Sequence, residues 1–93
     1  MSITHNSYFD GTVQSLRFDF GNAGATVGVL SPGDHVFELK SRETMTVVAG
    51  EIFVTINDAA EFSAPAGTKF DAPEGCTLRM RCVVDTAYLC EFH

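Results

Sequence analysis

Along this chain, apolar and polar residues alternate with a period of two, in short runs broken by turn residues, and that period predicts strands. Leu16, Phe18 and Phe20 alternate with Arg17 and Asp19, predicting a half-buried strand with the three apolar side chains on its covered face. Ala25 to Leu30 reads as a short apolar strand, and His35, Phe37 and Leu39 resume the alternation. Leu78, Met80 and Cys82 alternate strictly with Arg79 and Arg81, and Ala87 to Phe92 makes a last strand. Turn signals separate these runs at Asp10-Gly11, Gly21 to Gly24, Ser31 to Asp34, Pro65 to Gly67 and Pro73 to Gly75. No stretch keeps a helical period over three turns. Roughly eight or nine short strands, with a turn about every ten residues, predict an all-β sandwich or barrel.

The middle of the chain is the most informative. Met45 to Ala49 and Ile52 to Ile56 are separated only by Gly50-Glu51, which reads as a two-residue hairpin reversal. Glu43 lies two residues before the face formed by Met45, Val47 and Ala49, and strand side chains repeat every two residues, so Glu43 is expected to point inward with them. Residues 1–6 are polar and are expected to be frayed.

Composition narrows the class. Ninety-three residues hold one core, so residues 1–93 are read as a single domain. With 45% hydrophobic and 19% charged residues, the chain has a globular balance. A net charge of −6 repels phosphate backbones and anionic lipid, which disfavours nucleic acid and membranes as partners. No window reaches the length of a membrane span, and the first ten residues lack a signal-peptide pattern, so a cytoplasmic location is expected. Cys76, Cys82 and Cys90 show no Cys-x-x-Cys spacing and read as reduced, buried thiols. Open sheet edges make a homodimer the default expectation, with outward apolar residues such as Val36 and Val48 as candidate interface or scattered surface positions.

Glu43 is followed by Gly50, and Gly67 is followed by Pro73 and Gly75. This pairing resembles the two motifs of the cupins, small jelly-roll β-barrels. The resemblance implies a metal site only where its histidines are present, and here the corresponding positions carry His35, Phe37 and Leu78. His35 and Glu43 alone fall short of the three or four ligands a metal needs, so no metal and no cofactor are expected. A metal-dependent cupin isomerase or dioxygenase remains the lesser alternative on that ground, alongside a non-catalytic cupin that binds a sugar or nucleotide.

One small cupin family matches more than the motifs. Tyr8 to Ser15, Val27 to Gly33, Glu43 to Gly50, Phe70 to Pro73 and Tyr88 to Cys90 resemble, in order and spacing, the cupin-type pyrimidine/purine nucleoside phosphorylases. The resemblance implies a cytoplasmic homodimer that cleaves nucleosides with inorganic phosphate as co-substrate. Such chemistry passes through an oxocarbenium-like transition state and needs a carboxylate near the ribose, donors for phosphate and a proton for the departing base. Glu43 is the candidate carboxylate, the other reading being a structural glutamate satisfied by backbone or Tyr88. His35 is the candidate proton carrier, or else a histidine with a purely local partner. Phe37, Phe70 and Tyr88 are candidates for stacking a base without reading its edge, or are simply core. Arg79 and Arg81 are the one basic pair on a strand face. Arg81 is taken as the phosphate candidate although parity turns both arginines away from the interior, and backbone N–H groups of a glycine turn remain an alternative.

Overall fold

In a computed structural model, residues 3–93 are described, and they form ten antiparallel strands in two facing sheets. The strands are β1 (Thr4–Tyr8), β2 (Val13–Phe18), β3 (Ala25–Leu30), β4 (Gly33–Glu38), β5 (Glu43–Ala49), β6 (Glu51–Ile56), β7 (Phe62–Pro65), β8 (Lys69–Ala72), β9 (Thr77–Cys82) and β10 (Thr86–Phe92). The larger sheet has the order β1-β2-β3-β10-β5-β8 and the smaller one β4-β9-β6-β7. No ladder joins the two sheets, so the expected all-β jelly roll is realised as an open sandwich.

The core lies between the sheets. Val13, Leu30, Met45 and Val47 from the larger sheet meet Ile52, Val54, Leu78 and Met80 from the smaller, all buried. Burying one such side chain stabilises the fold by about 1.5–3 kcal/mol. Strand β9 follows the sequence pattern residue by residue: Leu78, Met80 and Cys82 face in, while Arg79 and Arg81 face out and pair with Asp34 and Glu61.

Four expectations are corrected. Strand β2 turns its other face inward: Val13 and Ser15 are buried, whereas Leu16 and Phe20 are 45% and 50% exposed. Its register sets Val13 against Leu30 and Ser15 against Gly28, both core-facing positions of β3. The outward face of this sheet is itself apolar, with Leu16, Val27, Val29 and Val48 exposed, so alternation alone allowed either choice. Residues 4–6, expected to be frayed, are paired with residues 15–17 in β1, and a polar strand at a sheet edge leaves no core signal to find; residues 1–2 lie outside the described residues. Ala49 is exposed because the register with β10 passes from Val47–Tyr88 to Ala49–Ala87, a bulge at Val48 that breaks the alternation.

The fourth concerns Gly50. Strands β5 and β6 are not a hairpin, since they belong to different sheets, and Gly50 is the corner where the chain crosses. It has φ +87°, and a Cβ there would lie 2.5 Å from Thr86 Oγ1 and 2.8 Å from the Asp85 carbonyl oxygen. The Thr86 hydroxyl in turn accepts the Glu51 N–H at 3.3 Å, fastening the corner to the start of β10. Val36 and Val48 lie on the outward faces of different sheets, so they do not share one surface.

Gly50→Ala should therefore cost more than left-handed strain alone. Gly67 gives the reference, because it has φ +92° with open space where a Cβ would go. Urea unfolding of Gly67→Ala should report about 1–3 kcal/mol of strain. Gly50→Ala should exceed that value clearly, and equal losses would contradict the tight corner.

Candidate functional site

Register carries the inward side chains of the larger sheet into rows. Ser15, Gly28, Tyr88 and Val47 form one row across β2, β3, β10 and β5. Arg17, Thr26, Cys90 and Met45 form the next, and Phe92 and Glu43 are partners in the last. From the facing sheet come Phe37 and Leu78, themselves register partners, with Met80 beside them. Between these rows opens a cavity of about 460 Å³, reached past Glu38 at the end of β4 and Lys40 and Ser41 on the β4–β5 connection. That volume is within the usual range for small-molecule sites, about 300–1,000 Å³.

Gly28 shapes its floor. A Cβ at Gly28 would fall 2.5 Å from the Tyr88 phenol oxygen, so the ring lies over the glycine and occupies the space a side chain would take. Burial pushes the Tyr88 phenol up to about 12, and it stays protonated at neutral pH. Tyr8 and Phe37 meet edge to face at 5.6 Å and give the cavity an aromatic wall, with Phe9 behind them, 5.4 Å from Phe37.

Glu43 is half-buried and directed into this cavity, as strand parity predicts. Burial holds its carboxyl above the ordinary value, opposed by a hydrogen bond that the Cys90 thiol donates to Oε1 at 3.1 Å. The thiol is itself pushed up, by burial first and by the Glu43 charge second. Cys90 is thus a neutral donor and not a thiolate nucleophile.

Three of the six residues expected at the site line this cavity: Glu43, Phe37 and Tyr88. The other three lie elsewhere. His35 is buried in the smaller sheet, where its Nε2–H donates to the Ser31 carbonyl at 2.8 Å and its ring stacks on Phe9. Phe70 packs edge-on against Phe62 at 5.5 Å. Arg81 sits on the outer face of the smaller sheet, its guanidinium 3.0 Å from Glu61 and 4.5 Å above the Phe53 ring. Conversely, Tyr8, Ser15, Arg17, Thr26, Lys40 and Cys90 line the cavity. The inward set Ser15 and Arg17 was legible only once the parity of β2 was known.

At the positions the cupin resemblance assigns to metal ligands stand the apolar pair Phe37 and Leu78, and His35 donates to a backbone carbonyl. Among the described residues no three His, Cys, Asp or Glu side chains are gathered as a metal site would need.

Two facing antiparallel sheets with a polar-lipped cavity between them make a cupin-like fold. The chain belongs to the pyrimidine/purine nucleoside phosphorylase family, whose sequence model matches residues 3–92. A protein of that name from Pseudomonas fluorescens is 43% identical over 88 residues, covering 94% of each chain. A solved protein of unknown function from Vibrio parahaemolyticus superposes with a TM-score of 0.92 at 37% identity, covering 98% of both chains. An RmlC-like cupin from Shewanella frigidimarina aligns with a TM-score of 0.76 over 99% of this chain and 93% of its own; at 18% identity the likeness is one of fold.

The raised Glu43 has a pH signature. A carboxyl whose pKa is higher folded than unfolded binds more protons when folded. Its contribution is therefore most favourable below its ordinary 4.5 and is lost as pH rises through the folded value. Glu43→Gln abolishes that loss, so its melting temperature relative to the native chain should rise between pH 4 and pH 8. A native chain that gains on the variant over the same interval would contradict the buried carboxylate.

Proposed function

We propose that the protein is a nucleoside phosphorylase of broad base tolerance, acting on purine and pyrimidine nucleosides in the cytoplasm. The observation that carries this reading is the half-buried Glu43 carboxylate inside a cavity with aromatic walls. Family membership supports it independently.

In this reading Glu43 holds the two adjacent ribose hydroxyls. A partly desolvated carboxylate is satisfied by two hydroxyl donors, and its charge stabilises the positive charge that develops on the ribose ring. A phosphate oxygen donates its electron pair to the anomeric carbon as the bond from that carbon to the base nitrogen breaks. The pair from the broken bond goes to the base, and the proton carried by hydrogen phosphate ends on the base nitrogen. Atoms and charge balance with no enzyme nucleophile, which agrees with a Cys90 held as a neutral thiol. Phe37 and Tyr8 offer faces and edges on which any base packs, with Tyr88 behind the ribose; an apolar wall does not discriminate between hydrogen-bonding edges. His35 and Arg81 take no part, because their polar atoms are engaged elsewhere.

The active form is proposed to be a homodimer covered on the outer face of the larger sheet. The groove there is lined by Leu16, Val27, Val29 and Val48 and carries no lysine, arginine or carboxylate. In a chain of net charge −6, a neutral apolar face is one that can meet its own copy without repulsion. Light scattering should give twice the chain mass for the native protein and a monomer for Val29→Glu. A native monomer at micromolar concentration would remove the dimer.

Uridine and adenosine should each release free base and ribose 1-phosphate when phosphate is present. Base released equally fast without phosphate would make the protein a hydrolase, and a melting-temperature rise with nucleoside but no release would make it a binding module. Glu43→Gln keeps size and hydrogen bonding but removes the charge. It should lower kcat about a hundred- to a thousand-fold, the range seen for loss of one electrostatic transition-state contact. A Gln variant with full turnover would take Glu43 out of the mechanism.

A further inference from the structure

We propose that the phosphate co-substrate is held at the mouth of this cavity by the Arg17 guanidinium, with Lys40 and the Ser41 hydroxyl closing on it from the β4–β5 connection. The inference rests on the phosphorolysis reading for the identity of the anion. Its location rests on the structure alone.

Charge bookkeeping isolates the two residues. The chain has six Lys and Arg side chains against twelve Asp and Glu, so its overall field opposes any anion and a phosphate needs local cations. Three of the six cations, Arg42, Arg79 and Arg81, are paired on the surface with Asp71, Asp34 and Glu61. Only Arg17 and Lys40 line the cavity, and among the described residues neither has a carboxylate within ion-pair reach. The two carboxylates that share the lining, Glu38 and Glu43, accept from Thr77 and Cys90, and among the described residues neither is ion-paired with Arg17 or Lys40, so both cations are left to meet an anion.

Arg17 is also held in place for that task. Its Nη2 donates to the Ala23 carbonyl at 2.7 Å, and its guanidinium carbon lies 4.7 Å above the Phe92 ring. A guanidinium has five N–H donors, so one bond to a carbonyl leaves an edge for bidentate contact with phosphate oxygens. Gly24 makes room for it. A Cβ there would stand 2.8 Å from Arg17 Nη2, at a backbone φ of +84°. Turn, ring and glycine therefore fix the head of a side chain that would otherwise lose considerable freedom on binding.

The placement suits the reaction. Phe92, under the guanidinium, is the register partner of Glu43, so cation and carboxylate are neighbours across one ring yet do not neutralise each other. A ribose held by Glu43 then has its phosphate donor at the cavity mouth and its base toward the Tyr8 and Phe37 wall. The Arg17 charge offsets the repulsion between an anion bound there and the Glu43 carboxylate.

Two measurements test this, one with turnover and one without. In steady-state assays with uridine in excess, Arg17→Met should raise the KM for phosphate about ten- to a hundred-fold, as expected for a lost charge-assisted contact. The KM for uridine should change by less than about three-fold. Lys40→Met should raise the phosphate KM by a smaller factor, Arg17→Lys should recover part of the loss, and Lys69→Met, which removes a charge away from the cavity, serves as the control. Calorimetric titration with inorganic phosphate alone, without nucleoside, should show binding to the native chain that weakens by similar factors in Arg17→Met and Lys40→Met. Melting temperatures within a few degrees of native establish that the variants are folded, and Arg17→Lys and Lys40→Met keep the test open if Arg17→Met is not. Native turnover with an unchanged phosphate KM in folded Arg17 and Lys40 variants would overturn this assignment and leave the phosphorylase reading intact. Phosphate binding that depends on Arg17 in a protein with no turnover would uphold the anion site and overturn that reading. Absence of both binding and turnover would overturn both.

Discussion

Tyr88 lying over Gly28 is the contact on which the site depends. Because β3 offers no side chain at that position, the phenol ring of β10 folds flat across its neighbour and fills the inner surface of the sheet with one large side chain. The ring closes the floor of the cavity, and its placement leaves the next row, with Arg17, Thr26 and Cys90, to form a wall above it. An alanine at position 28 would force the ring to move, and with it the boundary between solid core and open cavity. The aromatic filling of a glycine gap is a known way of pinning strand pairing, and here it also sets the depth of a site.

Above that floor the cavity is built almost wholly from strands. Glu43, Arg17, Phe37, Cys90 and Phe92 all come from strand positions whose neighbours are fixed by register, and only Leu39, Lys40 and Ser41 come from a connection. Side chains on paired strands keep their spacing more closely than side chains on loops, which suits the proposed placing of a sugar at Glu43 and an anion at Arg17. The same construction strains the protein locally. A carboxylate is kept half-buried with a thiol as its hydrogen-bond donor, where an apolar residue would pack with no charge to desolvate. Such conflicts between local stability and chemistry are where function is expected to reside.

Much of this was legible in the sequence, and the failures have a common origin. Period-two alternation located β9, which has one apolar and one polar face, and turned Glu43 inward beside an unambiguous core row, while a continuous apolar run located β3. In β2 the inward face is the more polar one, Val13, Ser15 and Arg17, while the outer face carries Leu16 and Phe18 beside the exposed Val27 and Val29, so alternation pointed to the wrong side. That single inversion concealed Arg17, which then read as a solvent-facing cation between two core residues. Gly50 misled for a different reason. A two-residue gap between apolar runs is compatible with a hairpin or a corner, and the choice is made by Thr86 and Asp85, far along the chain. His35 and Arg81 were sensible candidates by residue type, but their partners, Ser31 and Glu61, are set by tertiary contacts that no spacing rule contains. The family resemblance was the stronger guide, because it rests on several segments at once and does not depend on the parity of any one strand.

The order of strands has a consequence for how the molecule comes into being. Strand β10 is last along the chain, yet it lies in the interior of the larger sheet, hydrogen-bonded to β3 on one side and β5 on the other. Until it arrives, the sheet exists only as two separate pieces, each with an unpaired edge facing the gap, and the inner surface lacks Tyr88 and Cys90. Most connections also change sheet, so few pairings can form early by local closure. Folding of such a chain is expected to be slow relative to its size and to end in a single cooperative step when β10 slots between its neighbours. Before that step, the vacant slot is an invitation to the β10 of another chain, and the same geometry that completes the site makes strand exchange the characteristic hazard of its assembly.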